Sequence, residues 1–301
     1  MLSSQFRLNL NNKSMHKSTW LHLRIPFGLN LVPIFMFSVS QYGIQNWYDT
    51  FLTFFALHLF LYPSTHGYNS YFDKDKGSIG GLKEPPEVRK ELYYVSLIFE
   101  LIAILIGLYI NWIFAIMVFV LGLESKAYSH PSIRLKKYGI LSLVITSLFQ
   151  GGFIYLMVTV GLQKITFGDL FTMRFLFPAI LCSITYLGIY PLTQIFQHIE
   201  DKQRGDRTLS LILGAKGTFN FSTFMFILSD IGFFVFFFNY QQKPEIFIFL
   251  QICLMPLMVF YVNWYIKFLK DNNEANYANS MNFQRLVTIS ISLFFGVISI
   301  V

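Results

Sequence analysis

Long apolar runs dominate the chain, broken by short polar clusters. Nine runs approach the ~20 residues a helix needs to cross a bilayer. They are 21–41, 49–69, 92–110, 112–127, 138–161, 173–197, 218–239, 245–267 and 283–301. Only "YINW" separates the third from the fourth, so that break is placed partly by length. The pattern predicts an all-α, polytopic membrane bundle of about nine transmembrane helices. No repeat at a solenoid period and no low-complexity linker divides it, so residues 1–301 read as one integral membrane domain. The first segment, 1–19, is polar and basic. It lacks the apolar stretch and small-residue cleavage site of a secretory signal, and is expected to remain as a cytoplasmic arm.

Composition agrees with that reading. The chain is 54% hydrophobic and 13% charged, against about 25% charged residues in soluble domains. Cys182 and Cys253 both lie inside apolar runs, which suits inert buried thiols and not a disulfide framework or a metal site. Charge then orients the bundle. Of the 23 Lys and Arg residues, 20 lie before the first span or around the loops that follow spans two, four, six and eight. Only Lys164, Arg174 and Lys243 belong to the other side. Positive charge marks the cytoplasmic side, so the N-terminus is expected inside and the C-terminus outside, in a cell (inner) membrane. The net charge of +7 is therefore a topology signal. A nucleic-acid partner would need a soluble basic face, and the sequence offers none.

Two of these loops also carry carboxylates. In "NSYFDKDKGSIGG", Asn69 and Asp73 are four residues apart and share one face of a helix. Asp75 joins them only if the helix ends there, as the following glycines suggest. In "QIFQHIEDKQRGDRTLSLILG", Gln194, Gln197, His198 and Asp201 follow helical spacing on one face. Both clusters close even-numbered spans, so both face the same side. Mg²⁺ binds through a few carboxylates plus substrate phosphates, and it neutralises charge on a departing diphosphate. Lys and Arg nearby would hold the remaining phosphate oxygens, and the apolar bundle would take a hydrocarbon tail. The same charges also suit solvated loops that do no more than set topology.

These stretches resemble the UbiA superfamily of intramembrane prenyltransferases. "NSYFDKDKGSIGGLKEPPE" is similar to its first aspartate-rich motif, N-x-x-x-D-x-x-x-D, and "EDKQRGDRTLSLILG" to the end of its second, D-x-x-x-D. "AYSHPSIRLKKYG" is similar to its Tyr-Ser-x-Pro-x-x-Arg-Leu-Lys loop after span four, and "QGG" at 150–152 recurs in quinone-pathway members. The resemblance implies helices around a central cavity. It implies transfer of an isoprenoid from its diphosphate to a lipophilic, often aromatic, acceptor, with Mg²⁺ as cofactor and membrane lipid as surroundings. Some relatives instead cyclise the chain.

Matched by position, the resemblance makes Asn69, Asp73, Asp75 and Asp201 the metal and diphosphate ligands. Arg134 and Lys136, with Asp73 and Asp201, form the catalytic set, and Lys83 and Lys202 further clamp the diphosphate. Gly77 and Gln197 stand where the family has Asp, so two of four expected carboxylates are missing. That departure keeps open a weakened lipid-diphosphate-binding protein beside a transferase or a cyclase. Gln197 retains a carbonyl oxygen, and His198 is a candidate base or replacement ligand. Tyr128 is a candidate for diphosphate contact or cation screening, or an interfacial anchor. Asn30 and Gln150 lie within spans, where polar groups face the interior. They either orient an acceptor or join helices.

Overall fold

The structure, a computed structural model, describes residues 12–163 and 165–300. Residues 1–11 of the expected arm, and Lys164, lie outside the described residues. Among these residues eight helices are long and apolar enough to cross a membrane. They are α1 (Lys17–Tyr42), α3 (Glu91–Ile110), α4 (Trp112–Ser129), α5 (Ile140–Leu162), α6 (Met173–Gln194), α8 (Leu209–Tyr240), α9 (Pro244–Lys270) and α10 (Tyr277–Ile298). A further unbroken helical run, α2 (47–73), occupies the place of the second expected span. Its second half carries Ser64, Thr65, His66, Asn69, Ser70 and Asp73, which makes it the most polar of the set. A short helix, α7 (His198–Arg204), follows α6.

Local chemistry explains the breaks. Asn111 is extended (φ −164°, ψ 134°), and its side chain accepts the Ile113 N–H at 2.8 Å. One residue thus ends α3 and caps α4, as an N-cap Asn does. At the other end of α4, Pro131 starts the turn to the "RLKK" loop. The expected sixth span, 173–197, is shorter: α6 stops at Gln194, and a non-helical step at Gln197 starts α7. Gln194 and Asp201 are therefore not on one continuous helix. The helix expected at 218–239 begins earlier, at Leu209, across a kink at Gly214 (φ 67°, ψ 172°) that only glycine adopts freely.

Small residues bring helices together where the site needs them close. A Cβ on Gly151 or Gly152 would lie 2.7 Å from backbone atoms of α6, so "QGG" lets α5 and α6 approach at backbone distance. A π-helical turn, Leu148–Phe153, spans the same stretch. Such turns insert an extra residue into the helix and re-aim its side chains. Three apolar clusters fill the bundle, one around α2, α4 and α5, one around α1, α6 and α10, and one around α8, α9 and α10. Lipid-facing Phe, Leu and Ile account for the many exposed apolar side chains.

The loops after α2, α4 and α6 gather at one end. His22 bonds the Pro86 carbonyl at 2.7 Å, Arg24 donates to the Gly80 carbonyl at 3.0 Å, and Gln197 donates to the Ser78 carbonyl at 3.2 Å. Gly80 and Gly81 lie flat on the Phe27 ring, where a Cβ on Gly80 would meet the ring at 2.6 Å. The loop after α2 is thus held over the bundle from both sides.

Candidate active site

Helix α2 ends at Asp73 because Lys74 turns left-handed (φ 48°, ψ 44°). That turn brings Asp75 back to the cavity that Asn69 and Asp73 line. From the opposite side, α7 presents Asp201 and Arg204 to the same cavity of about 200 Å³. The loop after α4 adds Lys136, whose side chain is 5% exposed. The two carboxylate clusters therefore meet across one space.

Each carboxylate is already engaged. Lys136 is ion-paired with Asp73, and Arg134 approaches Asp73 at 3.8 Å. Arg134 binds Asp206 through both Nε (2.8 Å) and Nη2 (3.0 Å), the two-pronged geometry that suits a guanidinium. Arg204 is ion-paired with Asp75 and with Asp201 at 3.1 Å, and its Nε lies 3.4 Å from Asp206. Four carboxylates thus share three cations. The shortfall is felt at Asp201. Burial pushes its carboxyl up to about 7, and Asp206 and Asp73 push the same way against the Thr208 hydroxyl and Lys136.

Below this layer the wall changes character. The Asn69 amide donates to the Ser129 hydroxyl at 2.9 Å, tying α2 to α4. Tyr128 on α4 and Tyr190 on α6 share a hydroxyl–hydroxyl hydrogen bond and both line the cavity. Deeper still are Glu124, Thr146 and Gln150.

Of the sequence-derived candidates, Asn69, Asp73, Asp75, Tyr128, Lys136, Gln150, Gln197 and Asp201 line the cavity. Arg134 joins them through its ion pairs. The others do not line it. His198 bonds the Ser210 hydroxyl at 2.7 Å, and burial lowers its pKa. Asn30 bridges α1 to α10 through Gln284 (3.2 Å) and Thr288 (3.0 Å), which is helix joining. Lys83 and Lys202 are exposed. Sequence reasoning passed over Arg24, Glu124 and Arg204 as site residues. Arg24 is 8% exposed, lines the cavity, and donates to the Gly80 and His66 carbonyls. Position offered a signal for Glu124, a carboxylate inside an apolar span.

Gly77 and Glu200 account for one departure from the motif. The Gly77 N–H donates to Glu200 Oε1 at 2.6 Å. A Cβ on Gly77 would lie 2.2 Å from that oxygen. Glu200 on α7 thus fills the space that a side chain at position 77 would take. Backbone conformation is not the obstacle to Asp there, since Gly77 has no positive φ.

Among the described residues, no three His, Cys, Asp or Glu side chains stand close enough to hold a metal unaided. The donor set still suits Mg²⁺ in the mode it takes with phosphates, where one or two carboxylates supply part of the shell and substrate oxygens the rest.

Comparison with known proteins bears on the whole chain. The model of the UbiA prenyltransferase family matches residues 30–286. No curated protein sequence matches. Solved structures share the fold at low identity. A UbiA homologue from Aeropyrum pernix K1 superposes with a TM-score of 0.68 at 15% identity, covering 90% of this chain and 97% of that one. A UbiA homologue from Archaeoglobus fulgidus, bound to DMAPP and Mg²⁺, gives 0.64 at 16%, covering 94% and 100%. A digeranylgeranylglyceryl phosphate synthase gives 0.59 at 17%, covering 95% and 99%. With a polytopic helical fold, the ordered carboxylate motifs and a family match over most of its length, the chain belongs to the UbiA prenyltransferase family.

Proposed function

We propose that this protein is a membrane prenyltransferase that moves an isoprenoid from a prenyl diphosphate to a lipophilic, aromatic acceptor, with Mg²⁺ assisting ionisation. The observation that carries the reading is the convergence of Asp73, Asp75 and Asp201 with Lys136 and Arg204 on one cavity mouth above an apolar bundle. The structurally similar Archaeoglobus protein binds DMAPP, or GPP, with Mg²⁺, and the same class of donor is assigned here.

The ion pairs set up an exchange of partners. Asp73, Asp75 and Asp201 would hold the metal. Lys136, Arg134 and Arg204 are then released to the diphosphate oxygens, so each charge keeps an opposite charge throughout. A metal held by these carboxylates would supply positive charge to offset the charge that develops on the departing diphosphate. Arg134 and Lys136 stabilise the same developing charge from fixed positions. Tyr128 lines the cavity, and its ring screens the allylic cation. The basic end of the bundle, with the N-terminus, faces the cytoplasm of the cell (inner) membrane.

A second reading has one observation behind it. Gln197 spends its amide on the Ser78 carbonyl, so a motif-two carboxylate position serves as a loop latch, as expected of a weakened protein that binds lipid diphosphates without turning them over. Purified protein incubated with Mg²⁺ and prenyl diphosphates of several lengths separates the readings. Diphosphate release that requires an acceptor is expected. Release without acceptor indicates a cyclase, and no release indicates the binding protein.

A further inference from the structure

A second cavity lies on another side of the turn that carries Asp73. It measures about 270 Å³ and is lined by Tyr71 and Phe72 from the end of α2 and by Lys90, Tyr93 and Tyr94 from the start of α3, whose N-cap is Lys90. Positions 90, 93 and 94 are three and four residues apart, so they share one helix face. The rings pack closely, with centroids 5.1 Å apart for Tyr71 and Phe72, 5.2 Å for Tyr71 and Tyr93, and 5.4 Å for Tyr93 and Tyr94. No carboxylate lines this cavity, and among the described residues neither Lys90 nor the three tyrosine hydroxyls has a hydrogen-bond or ion-pair partner. A second cation stands beside it: Lys74 Nζ is 5.9 Å from the centre of the Tyr71 ring.

Chemistry and place together select an occupant. Ring walls suit a group with carbon to lay against them, with the phenol hydroxyls left for its polar part. Three hydroxyls and an ammonium can all donate, which favours a charged acceptor. Lys90 and Lys74 oppose a cationic head, which the ring faces would otherwise attract. Beside the cavity, Tyr94, Ile98, Leu101, Leu105 and Leu108 form an exposed apolar stripe along α3, at the spacing of one helix face. An acyl chain covers such a stripe, whereas a free anion leaves it bare. An interfacial belt accounts for tyrosines at this level, but a belt needs neither a cavity between the rings nor an ammonium in its wall.

We propose that this cavity binds the phosphodiester headgroup of an anionic phospholipid, with an acyl chain along the α3 stripe. Lys90 pairs with the phosphate, and the tyrosine hydroxyls donate to its oxygens. Basic residues at the end of a span are attracted to such lipids where a leaflet carries them. The site adjoins the charged layer of the central cavity without belonging to it. Phe72 packs edge to face on His130 at 5.0 Å. His130 opens the loop that carries Arg134 and Lys136, and Asp73 follows Phe72 in the chain. A bound headgroup therefore braces the turn that holds Asp73.

The test uses full-length protein in dodecyl maltoside and native mass spectrometry to count bound lipid. The probes are dioleoylphosphatidylglycerol, which is anionic, and dioleoylphosphatidylcholine, which is zwitterionic, with inorganic phosphate as competitor. Wild-type protein is expected to hold a single copy of the anionic lipid about tenfold more tightly than the zwitterionic one, and phosphate should not displace it. Binding should raise Tm, as a ligand of the folded state does. Lys90→Gln should weaken the anionic lipid about tenfold, the loss expected of one charge-assisted contact, and Lys90→Arg should keep most of the affinity. Lys90 is exposed, so neither variant should change Tm in lipid-free detergent. Tyr93→Phe, which keeps the ring and loses the hydroxyl, should weaken binding about threefold. Lys243→Gln, at the opposite end of the bundle, should bind as wild type. Equal affinity for the two lipids, or binding of neither, overturns the assignment of headgroup. Displacement by phosphate reveals an anion site that does not need a lipid, and overturns it as well. Wild-type affinity in Lys90→Gln places the lipid elsewhere and overturns the site.

Discussion

Asp73 sits between two cations, with Lys136 ion-paired to it and Arg134 at 3.8 Å. Asp73→Asn keeps its volume and removes its charge. Turnover should fall by about 100-fold or more, as when a charge-stabilising group is lost, and thermal unfolding in detergent should show a lower Tm, because Lys136 is buried and loses its main partner. An unchanged rate would remove Asp73 from the site. Asp201 carries the pH dependence. Burial raises its folded-state pKa to about 7, above the ordinary carboxylate range, so the folded protein holds a proton that the unfolded chain releases. Between that range and about 7 the folded state binds more protons, and stability falls as pH rises. Above about 7 the loss is complete. In metal-free protein, Asp201→Asn should flatten Tm between pH 5 and pH 8, and a slope equal to wild type would assign the effect elsewhere. Asp73 and Asp201 were legible in the sequence because their spacing and neighbours carry the motif. The engagement of Asp206 by Arg134 was not, because the two are 72 residues apart and nothing local to either names the other. Glu124 was hidden by its surroundings, an apolar run in which one carboxylate barely changes the pattern.

Elements decide how the motifs meet. Asn111, Lys74 and Gly214 each end or bend a helix by their own conformation, and the first two breaks fall where span length and the "GSIGG" glycines predicted them. The break between α6 and α7 was not predicted, because "QIFQHIEDKQR" keeps helical spacing through the kink. Loop after α2 and helix α7 are coupled by the Gly77–Glu200 hydrogen bond. Restoring the family's Asp at position 77 should therefore fail by itself. Its Cβ would stand 2.2 Å from Glu200 Oε1, and its carboxylate would face another of like charge. Gly77→Asp should lower Tm by several degrees, consistent with a cost of about 1–3 kcal/mol from overpacking. Adding Glu200→Ala should recover most of that loss and lower the Mg²⁺ concentration needed for half-maximal binding of geranyl diphosphate. Additive effects of the two substitutions would mean that the residues do not compete for one place.

At the scale of the molecule, the fold was legible because a membrane demands long apolar segments and the chain supplies them in order. Only α2 falls below what composition alone marks as a span, and its polar half is the half that lines the cavity. Function thus dilutes the very signal that identifies a helix. Orientation follows from the same logic applied to charge. The loops after α2, α4 and α6 gather the ion pairs at one end, and that end also holds most of the Lys and Arg. Moving such loops across a membrane is resisted, so the proposed diphosphate site is expected to open to the cytoplasm, where a charged, water-soluble donor head is accessible. Single cysteines placed in a chain lacking Cys182 and Cys253 test this. Glu84 is exposed in the loop after α2, and Lys243 is exposed between α8 and α9 at the opposite end. In intact cells an impermeant maleimide should label Lys243→Cys and leave Glu84→Cys unmodified until the membrane is opened. The reverse pattern would put the active-site mouth outside and exclude a cytoplasmic prenyl diphosphate as its donor.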